Sequence, residues 1–213
     1  MKVTFFSNFL NHHQLPLCES FISKKGVEFT FVATEEIPQE RLDLGYENMN
    51  EKYNFVFPVY KSKKNYEKAI KLGYESDIVI IGGADNIYIE ERLKDLNKIT
   101  FRYSERLFKN RDFYWLLAPL KNLRFLKNYY RNHKYYLLCA SAYSAKDFNK
   151  LGLFKNKCYR WGYFPKVNKY NLKKLFFDKK NDVIEIIWVG RFLKLKHPEY
   201  IIDLANYLKK RKR

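Results

Sequence analysis

The sequence predicts an α/β fold, a parallel sheet whose strands are joined by crossover helices, on three observations. Short runs rich in Val, Ile, Phe and Tyr alternate with stretches of helical spacing along most of the chain. Several of these runs are almost continuously apolar, as strands covered on both faces are. Gly and Pro punctuate the runs where the chain must turn.

In chain order, Lys2 to Ser7 reads as a buried strand and Leu15 to Lys24 as a helix that Gly26 follows. Val27 to Thr34 is the next strand. Tyr53 to Val59 is a weaker one, stopped near Pro58. Asn65 to Leu72 reads as a helix ending at Gly73. Asp77 to Ile81 is the cleanest buried strand of the N-terminal half, closed by Gly82-Gly83, and Ile87 to Leu96 suits a helix. Ile99 to Tyr103 is a strand leading into Ser104-Glu105-Arg106. Leu116, Leu120, Leu123, Leu126 and Tyr130 then fall at helical spacing, with Lys121, Arg124, Lys127 and Arg131 on other faces. Tyr135 to Ala140 is a strand, Ser144 to Leu151 a short helix, and Cys158 to Tyr163 a strand ended by Pro165. A Lys/Asn-rich connector, Lys166 to Asp182, precedes a further strand at Val183 to Val189 and a helix from Pro198 onward. This is a Rossmann-like arrangement over residues 1–175, followed at 176–213 by a linker and a single strand–helix unit. One strand cannot close a sheet. The expectation is that the chain stops early in a second domain of the same kind.

The 213 residues carry 41 Lys and Arg against 23 Asp and Glu, a formal net charge of +18, which implies attraction to polyanions without choosing among them. The joint richness in Lys, Asn, Phe, Tyr and Ile is also what A/T-biased coding produces, so composition alone assigns no function. Cys18, Cys139 and Cys158 are odd in number and far apart, which argues against a disulfide framework or a structural zinc site. The apolar start, Val3 to Leu10, is interrupted by Ser7 and Asn8 and does not read as a secretory signal. No apolar run approaches the ~20 residues of a membrane span. The expected location is the cytoplasm, at most on the inner face of a membrane.

The tail carries the most chemistry. Trp188-Val189-Gly190-Arg191 ends a strand in a Gly that permits close backbone approach, an Arg follows, and Lys196 comes five residues later. Pro198 suits the first turn of a helix whose N-terminus favours an anion. An Arg fork with a mobile Lys suits a diphosphate; the competing reading is a solvated basic loop. Asn11-His12-His13-Gln14 follows the first strand, at the edge where open α/β sheets bind ligands. It serves either a cleft or a helix cap. Adjacent His side chains with no acidic cluster argue against a metal. Gly82, Gly83 and Asp85 follow another strand end, where glycines admit substrate or make a tight turn. They form no nicotinamide-type glycine fingerprint. Glu105, between Ser104 and Arg106, is a candidate acceptor-orienting group or base, with a Glu–Arg structural pair as the rival.

From Lys121 to Leu175 there are fourteen Lys or Arg and one acid, Asp147, interleaved with Tyr and Phe. That pattern suits nucleic acid, an anionic membrane interface, or a solvated basic face over an aromatic core. No nucleic-acid-binding signature accompanies it, so no nucleic-acid partner is expected.

The run from Val189 to Tyr200, with Gly190, Arg191 and Lys196 in place and His197-Pro198-Glu199 after them, resembles the start of the C-terminal domain of group 1 (family 4) glycosyltransferases of the GT-B fold. Asn11 to Gln14, Tyr103 to Arg106, Leu138 to Tyr143 and Trp161 to Pro165 are similar in character to that family's acceptor domain. The resemblance implies a bacterial surface-polysaccharide enzyme. It would move a sugar from a nucleotide-sugar donor to a glycan or lipid-linked acceptor, with retention and without a metal or other cofactor. It implies donor-diphosphate contacts from Gly190, Arg191 and Lys196, while their places at strand ends make Asn11, His12, Gln14, Gly82, Gly83 and Ser104 the candidates for acceptor-side contacts and His13 and Glu105 the candidates for catalytic roles. The family's paired glutamates have no counterpart here, so this chain alone is expected to be inactive. The rivals are a basic nucleic-acid-binding module and a non-catalytic glycan- or membrane-binding domain of the same fold.

Overall fold

The computed structural model describes residues 1–107, 118–179, 184–190 and 192–211. The chain divides into two compact units, Met1–Val167 and Asn168–Arg213.

The first unit is built on a sheet of β1 (Lys2–Ser7), β2 (Glu28–Ala33), β3 (Val56–Pro58), β4 (Ile78–Ile81), β5 (Ile99–Ser104), β6 (Tyr135–Cys139) and β7 (Cys158–Arg160). All described pairings are parallel, in the order β3-β2-β1-β4-β5-β6-β7. This is the doubly wound, Rossmann-like arrangement expected from the sequence. The strand order reverses between β1 and β4, which lie side by side with Val3 opposite Ile78.

The apolar runs are strands because alternate residues feed two separate cores. Phe6, Val32, Val79, Ile81 and Leu137 pack on one face, and Val3, Phe5, Phe31, Ile80 and Leu138 on the other. The crossovers are α1 (Leu15–Ile22), α2 (Gln39–Asp43), α3 (Met49–Lys52), α4 (Lys63–Glu75), α5 (Glu90–Lys94), α6 (Ala118–Tyr129) and α7 (Ser144–Lys150). Ser62 caps α4 by accepting from the Asn65 amide at 3.1 Å.

Several expectations are corrected. Gly73 does not end α4 but lies inside it, where a Cβ would sit 1.8 Å from the Tyr88 carbonyl oxygen; the missing side chain lets the helix press against Tyr88. The strand expected over Tyr53 to Val59 is only Val56–Pro58, because Pro58 lacks the amide that would extend the ladder. The strand expected to reach Tyr163 ends at Arg160. The helices at Gln39–Asp43 and Met49–Lys52 went unpredicted, being too short to show a period.

In the second unit the connector is not structureless: α8 (Leu172–Asp178) forms there, capped by Asn171 accepting from the Lys174 amide at 3.2 Å. The strand expected at Val183 to Val189 is absent among the described residues. Residues 184–190 are irregular, with Ile184 88% and Ile187 85% exposed. An apolar run becomes a strand only where a neighbour pairs its amides and carbonyls, and the described residues of this unit include no such neighbour. α9 (Pro198–Arg211) starts at Pro198 as expected. Among the described residues no helix is long and apolar enough to cross a membrane.

Among the described residues of the first unit, Arg92 is fully buried and makes the most side-chain hydrogen bonds. Its guanidinium donates to the carbonyls of Gly73, Tyr74, Ser76, Asp77 and Ile99 and, through Nε, to the Thr100 hydroxyl, at 2.5–3.3 Å. Burial pulls its pKa down to about 10, with Asp95 and Asp77 acting against that shift, so it remains charged at neutral pH. Arg92→Met should therefore lose roughly 3–5 kcal/mol of stability in urea denaturation, since it leaves several buried carbonyls unpaired. Arg92→Lys, which keeps the charge without the planar fork, should lose a large part of the same amount. Wild-type stability in Arg92→Lys would show that the fork is dispensable.

Candidate functional site

The candidate site lies at the C-terminal edge of the sheet, where β1 and β4 diverge. After Ser7 the chain makes a tight polar loop rather than entering a helix at once. The Asn11 side-chain oxygen accepts the His13 amide at 3.0 Å, and its carbonyl accepts the Gln14 and Leu15 amides at 2.9 and 3.1 Å. Asn11 therefore shapes the turn into α1. Asn50 pins the loop from the side, accepting the Leu10 amide at 2.9 Å while donating to the Glu35 carbonyl at 3.1 Å.

The histidines this turn presents are in contact, ring centroids 3.9 Å apart with the planes tilted at 48°. His12 is exposed. His13 is half-buried, and its buried Nδ1 has no hydrogen-bond partner among the described residues. Burial, then the neighbouring His12 and Arg41, hold the His13 pKa below its ordinary value, so the ring is neutral at neutral pH. Gln14 turns inward: its amide nitrogen donates to the Ser7 hydroxyl at 3.3 Å, and its buried oxygen has no partner.

Gly82 and Gly83 follow β4 as expected, and the structure separates their roles. A Cβ on Gly82 would lie 2.0 Å from the Tyr103 ring, so that glycine is the space in which the ring sits. Gly83 is exposed, has φ +72°, and faces the Ser7 and Asn8 side chains. Burial raises the Tyr103 phenol pKa, with Ser7 and Gln14 beside it acting against the shift. The phenol stays protonated and polar beneath the loop.

Ser104 and Glu105 leave β5 at the same edge. The Ser104 hydroxyl donates to the Glu105 carbonyl at 2.9 Å, and the Ser104 carbonyl accepts the Ala140 amide and the Ser144 hydroxyl. The Glu105 carboxylate accepts a hydrogen bond from the Tyr163 hydroxyl. Arg106 pairs with the buried Asp147 at 3.2 Å and lies over the Tyr143 ring. The segment after β7 closes the group. The Phe164 amide donates to the His13 carbonyl at 2.9 Å, and the Tyr163 ring lies 4.9 Å from that of His13. His13 and Glu105, 92 positions apart, thus both touch Tyr163.

The structure also opens a groove of about 550 Å³ at the C-terminal ends of β6 and β7, with Ala140, Ser141, Arg160 and Trp161 in its lining. Sequence reasoning missed Arg41, and it singled out the stretches holding Tyr103 and Tyr163 without giving either residue a role at this edge. Tyr103 was within reach, as the residue before Ser104 at a strand end. Tyr163 reaches the site only through the backbone bond from Phe164 to the β1 loop, a pairing that local pattern does not encode.

In the second unit, Gly190 is exposed, and a Cβ there would meet the Trp188 ring at 3.1 Å. Lys196 ends an exposed 3-10 turn, Lys194–Lys196. His197 follows with φ 48°, its ring stacked on Tyr200 and its Nδ1 2.8 Å from the Glu199 carboxylate. Arg191 lies outside the described residues.

With this geometry in hand, comparison adds no relative: the chain matches no protein-family model and no curated protein.

Two measurements test the site. The His13 imidazole should titrate below about 6.5 by NMR. Because the folded state binds the proton less readily than the unfolded one, His13 should cost stability as pH falls from about 6.5 toward its lowered native pKa, and nothing above that window. His13→Asn should remove this part of the pH slope; an unchanged slope would place the effect elsewhere. Gly82→Ala should drive the Tyr103 ring out of its slot at a loss of roughly 2–4 kcal/mol, read by denaturant unfolding. Gly82→Ala at wild-type stability would mean the ring has another place to go.

Proposed function

We propose that this chain is the acceptor side of a GT-B glycosyltransferase, moving a sugar from a nucleotide-sugar donor to a glycan or lipid-linked acceptor in surface-polysaccharide synthesis. The observation that carries the reading is the convergence of His12, His13, Gln14, Ser104, Glu105 and Tyr163 at the C-terminal edge of a doubly wound sheet, beside the point where its strand order reverses. Open α/β sheets bind ligands at that position.

Glu105 and Tyr163 form a hydrogen-bonded pair suited to orienting an acceptor hydroxyl, and neutral His13 is in the form that can accept a proton from it. On the donor side the resemblance assigns the leaving diphosphate to Gly190, Arg191 and Lys196, whose cationic groups would stabilise departing charge without a metal. The basic, aromatic stretch from Lys121 to Leu175 supports a peripheral approach to an anionic membrane surface, where a lipid-linked acceptor would be found. The reading places the reaction in the cytoplasm or on the inner face of the plasma membrane.

The full gene product should bind a nucleoside diphosphate in isothermal titration and transfer label from one of a panel of nucleotide sugars to a lipid-linked acceptor extract. Arg191→Ala should cut turnover by about 10²–10³ with folding intact, and Arg191→Lys should restore only part. Absence of binding to every common nucleoside diphosphate would overturn the reading. Salt-sensitive binding to short RNA in its place would favour the nucleic-acid rival.

A further inference from the structure

At the His12–His13 loop lies a small pocket of about 120 Å³, with Phe9, Asn11, His12, Arg41, Tyr46 and Glu47 in its lining. Its cation is Arg41, in the short helix α2. The guanidinium lies 5.3 Å from the Phe9 ring centroid and 5.7 Å from that of Tyr46. Tyr46 is brought there by its own amide, which donates to the Arg41 carbonyl at 3.1 Å. The His12 ring lies 5.8 Å from that of Tyr46.

A half-buried guanidinium offers five N–H donors in a rigid fork. Among the described residues, Arg41 uses none of them in a hydrogen bond or an ion pair. Of the acids near it in sequence, Asp43 accepts from Gln39 at 2.8 Å and Glu47, in the pocket lining, is held by Lys52 at 2.5 Å, while the adjacent Glu40 is exposed. Two aromatic faces hold the fork in place, which reduces the entropy lost when an acceptor binds it. Asn11 and His12 add polar groups to the lining. The volume suits one compact polar group, not a whole sugar ring.

We propose that this pocket is an oxyanion subsite in which Arg41, clamped between Phe9 and Tyr46, grips a carboxylate or phosphate group with His12 beside it. Within the glycosyltransferase reading, on which this step rests, the oxyanion belongs to the acceptor, either the carboxylate of an acidic sugar or a phosphate of its carrier. The fork at Arg41 sets which acceptor is held, while Glu105, Tyr163 and His13 address the reacting hydroxyl.

The test uses the whole chain and needs no transfer reaction. The His12 and His13 ring Cε1–H signals are followed by NMR while sodium phosphate or sodium acetate is added at constant pH, against sodium chloride at matched ionic strength. A saturable His12 shift with phosphate or acetate, absent with chloride, is expected. Arg41→Gln should weaken it about tenfold or more and Arg41→Lys by less, because the ammonium keeps the charge but not the fork. Lys25→Gln, on an exposed surface, should leave it unchanged. The stronger of the two anions tells whether phosphate or carboxylate is the natural group. Should Arg41→Gln fail to fold, Tyr46→Ala decides, with an expected weakening of about threefold from loss of one clamping ring. Shifts that merely follow ionic strength, or that persist undiminished in these variants, would overturn the subsite. Anion binding that survives in a gene product unable to bind any nucleoside diphosphate would retire the transferase reading and leave the pocket standing.

Discussion

The first unit depends on one buried cation. Arg92 joins the end of α4, the approach to β4 and the start of β5 at a single guanidinium, and no other side chain could serve so many carbonyls at once. The chain there must leave a helix and enter the central strands, so backbone acceptors are exposed and water is excluded. A charged fork meets them where a neutral donor could satisfy one or two. The same edge is extended on either side. The Thr4 and Ser76 hydroxyls share a hydrogen bond of 2.7 Å, and Asn132 donates to the Leu93 carbonyl at 3.0 Å while accepting the Lys134 amide at 2.9 Å. β1, β4, β5 and β6 are thus tied together at their N-terminal ends.

That arrangement leaves the opposite edge available for chemistry. With the strands registered from below, the C-terminal loops carry polar groups that stability does not require to be paired. Among the described residues the buried Nδ1 of His13 and the buried oxygen of Gln14 have no partners there, at a cost that a ligand or water can offset. The loop that holds them is stiff, since Asn11 shapes its turn, Asn50 anchors its flank and the Phe164 amide closes over it. A preorganised loop at a strand-order reversal is well suited to binding.

A cluster of polar side chains and a small pocket at this loop differ in chemistry. Toward β5 and the segment after β7, a carboxylate, a phenol and a neutral imidazole meet. Toward α2, a guanidinium lies over two aromatic rings and, among the described residues, spends none of its hydrogen-bonding capacity. His12 and His13 stand between them, so charge in one is felt in the other. Arg41 already contributes to the lowered pKa of His13.

The sequence by itself determined the class of fold, the order of the strands along the chain of the first unit, with the bounds of β3 and β7 corrected by the structure, and the edge on which the candidate residues stand. Apolar runs such as Ile78 to Ile81 have no other way to be buried on both faces, and Gly82-Gly83 must follow where such a run ends. What only the tertiary structure decided was which residues meet. Gly82 is explained by the Tyr103 ring across the sheet, Gly73 by the Tyr88 carbonyl, and Glu105 and His13 share Tyr163 through a contact spanning most of the unit. The absence of a strand in residues 184–190 teaches the same point from the other side. Those residues have the apolar content of a strand, yet a strand exists only where another backbone completes its hydrogen bonds. Local pattern records what a segment must bury, whereas the partner that buries it is set by the three-dimensional path of the rest of the chain.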